Sequence, residues 1–156
     1  MIHRQPSSRS CFVCGRDNLA GVHAIFTMDR ETREVRAELV LPERFHGYPG
    51  VAHGGILAAL LDEAAVRTGL IDGDFDDLMV TARMDLVFKR PTPTSTPITV
   101  VARVLKWTGT RAQVAAEVRL GDGTVTARAD VLLARPPPDV AAAWVAERPY
   151  WRVDES

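Results

Sequence analysis

Apolar residues fall on almost every face of a helical projection between His53 and about Thr68, where Ile56, Leu57, Leu60, Leu61 and Val66 alternate with four alanines. A helix that is hydrophobic nearly all round has to be enclosed by other structure rather than lie on a surface. Asp62 sits inside this run, and the positions three and four residues away are Ala58, Ala59, Ala65 and Val66, so its own helix supplies no compensating charge. Asp62 is therefore expected to be desolvated and functional, unless it reaches solvent or an Arg from another element. Glu63 lies about 100° further round, with Arg67 four residues on, and reads as a surface ion pair.

On either side of the helix the pattern changes to period two. Val22 to Met28 and Glu34 to Leu41 read as a hairpin joined by the charged turn 29–33, with Val35, Ala37 and Leu39 alternating against polar neighbours. Pro42 to Ala52, with Gly47, Pro49 and Gly50, is a loop leading into the helix. Asp72 to Asp77 is acidic and turn-like, a solvated loop in the simplest reading and a lid in the other. Four strand segments follow, Val80–Lys89, Ile98–Trp107, Ala112–Leu120 and Thr124–Ala134, punctuated by turns rich in Pro, Gly, Thr and Asp, which predicts an antiparallel meander. Pro136 to Pro138 ends the last strand, and Asp139 is placed to cap a short helix through Ala146 before a tail with Tyr150 and Trp151. The expected organisation is an N-terminal loop over 1–21, one domain over 22–135 and a C-terminal tail over 136–156. Its class is α+β, a curved antiparallel sheet wrapped around one long helix.

Composition narrows the function. The chain has 156 residues, 46% hydrophobic and 25% charged, enough for one domain with a real core. A net charge of −1 provides no electrostatic footprint for nucleic acid or an anionic membrane. The polar first ten residues lack the apolar core of a signal peptide, and no apolar run reaches the eighteen or so residues that span a bilayer, so a cytoplasmic location is expected. Cys11 and Cys14 are the only cysteines and form C-x-x-C-G. They read as a structural loop, half a zinc site or a redox pair. A closed zinc site needs about two further ligands, and His3 and His23 stand at no recognisable finger spacing; a redox pair would sit at a helix start, whereas 17–21 reads as turn. No metal or cofactor is expected.

The segment His46-Gly-Tyr-Pro-Gly-Val-Ala-His53-Gly54-Gly55-Ile-Leu-Ala-Ala-Leu-Leu-Asp62-Glu-Ala64, followed by Val80-Thr81-Ala-Arg-Met-Asp-Leu-Val-Phe-Lys89-Arg90-Pro91, resembles the hotdog-fold acyl-CoA thioesterases of the PaaI-like branch. The opening Cys-Phe-Val-Cys-Gly is similar to that of some bacterial members, and the likeness covers roughly residues 11–135. It implies a hotdog fold and hydrolysis of acyl-CoA. It further implies that the Gly54 N–H polarises the thioester carbonyl, that Asp62 is nucleophile or general base, that Thr81 orients the water or the carboxylate, and that His53 shapes the site. Gly55, His46 and Gly47 would then border the substrate. Many relatives carry Asn where this chain has Gly47, which leaves open whether His46 replaces that amide.

The chemistry agrees with the likeness on independent grounds. Thioester hydrolysis builds charge on the carbonyl oxygen, and free N–H groups at a helix N-terminus are suited to receive it. A buried carboxylate either activates water or attacks to give a mixed anhydride. Gly54 and Asp62 are eight residues apart, roughly 12 Å along one helix at about 1.5 Å per residue, whereas reacting atoms must come within about 3.5 Å. One helix therefore cannot serve one substrate, and a homodimer with two shared sites is expected, with a dimer of dimers as the further assembly. Lys89 and Arg90 are the candidates for the phosphates of coenzyme A, ahead of Lys106 and Arg111, and Met84, Phe88 and Trp107 are candidates for an acyl pocket. The acyl group itself is undetermined. A noncatalytic acyl-CoA sensor and a hotdog hydratase or dehydratase, the latter relying on His46 or His53, are the alternatives.

Overall fold

A computed structural model describes residues 1–155. Seven strands form one antiparallel sheet: β1 (Ile2–Arg4), β2 (Thr27–Asp29), β3 (Glu34–Val40), β4 (Val80–Phe88), β5 (Pro97–Trp107), β6 (Arg111–Leu120) and β7 (Val125–Ala134), in the order β1-β2-β3-β5-β6-β7-β4. Helix α1 (Gly54–Arg67) packs across β3 to β7. Leu57, Leu60, Leu61, Ala64 and Ala65 are buried, and the inward positions of β6, Ala112, Val114, Ala116 and Val118, meet them with strict period-two alternation. Ala102, Ala116 and Ala129 lie side by side across β5, β6 and β7. This row of short side chains lets the helix approach the sheet closely. The α+β wrap expected for the chain is thus the one observed.

The pairing differs from a simple meander. β4 bonds to β7, from Val80↔Ala134 to Phe88↔Ala127, while β5 lies beside β3, from Glu34↔Arg103 to Val40↔Pro97. The Pro-rich connection after Phe88 passes the start of α1, where Ala52 N–H donates to Thr92 O at 2.8 Å, and so carries the chain to the other half of the sheet. Period-two patterning specifies a strand's faces and leaves its neighbours open. One edge of β4 has no partner among the described residues.

The N-terminal 21 residues are more than a loop. β1 adds a strand to the sheet, and Val13 and Cys14 enter the core. The strand expected over Val22–Met28 is regular only over Thr27–Asp29, because His23 at φ 58° breaks the extended run and residues 22–26 bond instead to the N-terminal segment. The C-terminal helix is α2 (Pro138–Ala143), shorter than expected, with Pro137 at its N-cap and Asp139 in its first turn making no capping bond.

These two terminal segments also overturn the surface reading of Glu63 and Arg67. Arg67 is 1% exposed, with Nε donating to Glu63 at 2.8 Å, Nη1 donating to Pro6 O at 2.9 Å, and its guanidinium over the rings of Phe26 and Trp151. The loop over 72–77 is likewise fastened: Phe75 packs edge-on to Trp151 at 6.1 Å, Trp151 Nε1 donates to Gly73 O at 2.8 Å, and Arg148 pairs with Asp76. Gln5, fully buried, donates from Nε2 to the carbonyls of Arg67 and Leu70, each at 3.0 Å, and so closes the C-terminus of α1. Gln5→Ala leaves both carbonyls buried without that donor, and a loss of about 1–3 kcal/mol in urea unfolding is expected at an unchanged m value. An unchanged midpoint would show that the Gln5 side chain contributes nothing to closing the helix.

Candidate active site

The loop 42–53 is built by its own acid. Glu43 accepts the Gly50 N–H at 2.8 Å and faces His46 Nδ1 at 3.1 Å through Oε1, while Oε2 accepts the Thr94 hydroxyl at 2.5 Å. These donors hold the Glu43 carboxyl below its ordinary 4.5, the Thr94 hydroxyl contributing most and the Gly50 N–H next. Gly50 occupies φ 78°, a left-handed conformation open to glycine, so that the turn 47–51 can close with Gly47 N–H on Val51 O at 2.9 Å. His53 N–H then donates to Phe45 O at 2.9 Å, which fixes the point where α1 begins.

His53 is the N-cap, in extended conformation, and its Nδ1 accepts the Gly55 N–H at 2.9 Å. A Cβ on Gly55 would stand 3.1 Å from that Nδ1, so glycine is what lets the ring fold onto the backbone. The Gly54 N–H has no acceptor among the described residues. Its flank is Phe88, 3.4 Å from where a Cβ would be.

Two turns along, Asp62 is half-buried and its Oδ1 accepts the Thr81 hydroxyl of β4 at 2.5 Å. The contact to the carboxylate therefore comes from the neighbouring strand as a hydroxyl, and the expected full desolvation of Asp62 is not seen in the isolated chain. The carboxylate is oriented while part of it stays open, an arrangement suited to meeting water or an electrophile.

The chain brings two groups of residues together, not one. Gly47, His53, Gly54, Lys89 and Arg90 line a cleft of about 680 Å³, with Tyr48 and Phe88 adding aromatic walls. Asp62, further along α1, and Thr81 on β4 form the second group. Gly55 and His46 do not line this cleft: the Gly55 N–H is taken by His53, and the His46 ring is held on Glu43. A Cβ at Gly47 would stand 3.4 Å from the Cα and Cδ2 of His53, so the bare glycine leaves room beside that ring.

A sequence profile described as thioesterase superfamily matches residues 49–127, half of the chain, and spans His53, Gly54, Asp62, Thr81, Lys89 and Arg90. The chain belongs to the thioesterase superfamily. Its sheet wrapped on a single helix is the hotdog fold. Among solved structures, a thioesterase superfamily protein is 26% identical with a TM-score of 0.73, covering 81% of this chain and 63% of that one, so this chain spans under two thirds of that relative's length. The phenylacetic acid degradation-related protein of Ralstonia eutropha is 21% identical, TM-score 0.63, covering 71% of this chain and 83% of that one. The PaaI protein of the E. coli phenylacetic acid degradation operon is 17% identical, TM-score 0.60, covering 67% and 74%. These last two share the fold. No curated protein matches the chain significantly. Among the described residues no helix is long and apolar enough to cross a membrane.

Glu43, Thr94 and Tyr48 are the residues near the cleft that sequence reading missed. An acid in a Pro- and Gly-rich loop carries no periodic signal, and its partners sit seven and fifty-one positions away. Because the folded-state pKa of Glu43 lies below its ordinary value, the stability it adds is present above pH 4.5 and is lost as pH falls through the lower, folded value. Wild type is therefore expected to melt above Glu43→Gln at neutral pH, with the gap closing in acid. Parallel melting curves of constant separation down to low pH would remove Glu43 as the pin of this loop.

Proposed function

We propose that the protein hydrolyses an acyl-CoA thioester to the free acid and coenzyme A at sites shared between two copies of the chain. The observation that carries this reading is the pairing on one helix of a free N–H at its start with an oriented, half-open carboxylate two turns along. The Gly54 N–H of one subunit donates to the carbonyl oxygen as negative charge develops on it, aided by the positive end of its helix. Asp62 of the other subunit either takes a proton from an attacking water, or attacks the carbonyl carbon itself to give a mixed anhydride that water then cleaves to the free acid and Asp62; both routes expel the thiolate of coenzyme A. Thr81 holds the carboxylate by donating to Oδ1, leaving Oδ2 for the reaction. His53 positions the helix start, while Lys89 and Arg90, exposed at the cleft, meet phosphate.

The dimer is supported by what α1 and β4 leave uncovered. Gly54, Ala58, Ala59 and Asp62 form a half-exposed face of small residues, and beside it β4 presents an unpaired edge with Val87 and Phe88 exposed. An apolar edge strand of this length invites pairing with another chain. A symmetric pairing with antiparallel helices places each Gly54 opposite the partner's Asp62; assembly into tetramers is compatible with it. A hydratase reading is less well supported, because the Nδ1 of His53 serves as a helix cap and His46 faces Glu43 away from the cleft.

Coenzyme A release from short, medium, long-chain and aryl esters is the direct test. Asp62→Asn is expected to lower kcat by about 10² to 10⁴-fold with the fold intact. Gly54→Pro deletes the N–H at a helix position that accepts proline and is expected to cost about 10² to 10³-fold. Random mixing of these two inactive variants should restore about a quarter of wild-type activity, since each mixed dimer keeps one intact site. No recovery after subunit exchange is verified by mass would defeat the shared site, and background hydrolysis of every ester by wild type would defeat the activity.

A further inference from the structure

On the side of α1 occupied by Glu63, the C-x-x-C pair finds what its sequence lacks. The Sγ atoms of Cys11 and Cys14 and a carboxylate oxygen of Glu63 all lie within 4.8 Å of one another, and Cys11 Sγ is 3.7 Å from Glu63 Oε2. The turn that aims both sulfurs at the helix is tightly specified. Gly15 N–H donates to Cys11 O at 2.8 Å, Val13 N–H donates to Cys11 Sγ at 3.3 Å, and a Cβ on Gly15 would stand 2.3 Å from Cys11 O. No residue but glycine fits there, and a backbone N–H aimed at sulfur favours a thiolate over a thiol. The sequence pattern offered two ligands; the third comes from a helix more than fifty positions away.

We propose that Cys11, Cys14 and Glu63 bind a divalent metal ion, with zinc the ion this donor set suits, and so clamp the N-terminal segment to α1. Two thiolates on a tetrahedral zinc stand about 3.8 Å apart, given Zn–S near 2.3 Å, so the observed cluster needs only a small contraction. Charge supports the same assignment. Two thiolates and one carboxylate carry three negative charges in a buried place; the adjacent Arg67 returns one, and a divalent ion the other two. Arg67 Nη2 is fully buried and has no acceptor among the described residues, while its Nε holds Glu63 Oε1 and leaves Oε2 to face Cys11. Binding releases the two thiol protons to solvent and involves no change of oxidation state. The fourth position opens on a cavity of about 430 Å³ that Cys11, Cys14 and Glu63 line with Met79, Trp144 and Trp151, which leaves it to water or a small ligand. The clamp lies one residue beyond Asp62 but on a different face of the helix, so it is independent of the thioesterase reading.

The test uses tag-free, reduced, full-length protein. After chelator treatment, wild type is expected to take up one Zn²⁺ per chain in competition with a chromophoric chelator, to show a thiolate-to-cobalt charge-transfer band with Co²⁺, and to melt at higher temperature with Zn²⁺ than without. Glu63→Gln should weaken Zn²⁺ binding at least about tenfold while retaining the cobalt band, and Cys11→Ser should abolish the band. Absence of the band and of zinc uptake in folded wild type would overturn the site, as would uptake unaltered in Cys11→Ser. Formation of an intramolecular disulfide in air with no metal uptake would assign the pair to redox chemistry instead. These readouts need no ester hydrolysis, so their failure is separable from failure of the proposed activity.

Discussion

A fourteen-residue helix with apolar side chains around most of its circumference has almost no side it can show to water, and the architecture is the set of covers that this helix requires. Five strands cover one side, with alanines where the approach is closest. The N-terminal segment and the C-terminal tail cover a second side and in doing so bury Arg67 beneath Phe26 and Trp151. What stays half-open is the strip holding Gly54, Ala58, Ala59 and Asp62, together with the free edge of β4. The Gly54 and Asp62 pair lies on the one strip that the chain does not cover by itself.

The polar groups on this helix follow the same constraint. Each must be satisfied by what covers it: the N-terminal segment meets the helix C-terminus through Gln5 and also meets Glu63 and Arg67, β4 meets Asp62, and the neighbouring His53 meets Gly55. The Gly54 N–H is left out of this arrangement. Fixing the donors and acceptors through separate elements makes the geometry of the helix depend on the whole domain, so that distant substitutions at its covers act on the site through position.

The helix and the inward faces of its strands are legible because both carry strong periodicity, and the family is legible because the spacing of Gly54, Asp62 and Thr81 resembles one whose profile the chain matches. The place of β4 at the far edge is not, since alternation marks which face a strand buries and says nothing of its neighbours. Nor is the burial of Glu63 and Arg67, an i, i+4 pair that looks the same on paper whether solvent or two terminal segments lie over it. β1 is invisible because three polar-flanked residues make no pattern, and the role of Glu43 because its partners are assembled only by the fold.

The cap on α1 has an electronic consequence. Because Nδ1 of His53 accepts the Gly55 N–H, the neutral ring must carry its proton on Nε2, and the only function left to its free nitrogen is donation. Around the same cleft stand the Gly54 N–H, an ammonium on Lys89 and a guanidinium on Arg90, none of which accepts a hydrogen bond. The charged and helix-end groups at this rim therefore share one polarity. A visitor rich in lone pairs finds partners there, whereas one that brings cations meets a fence of like charge.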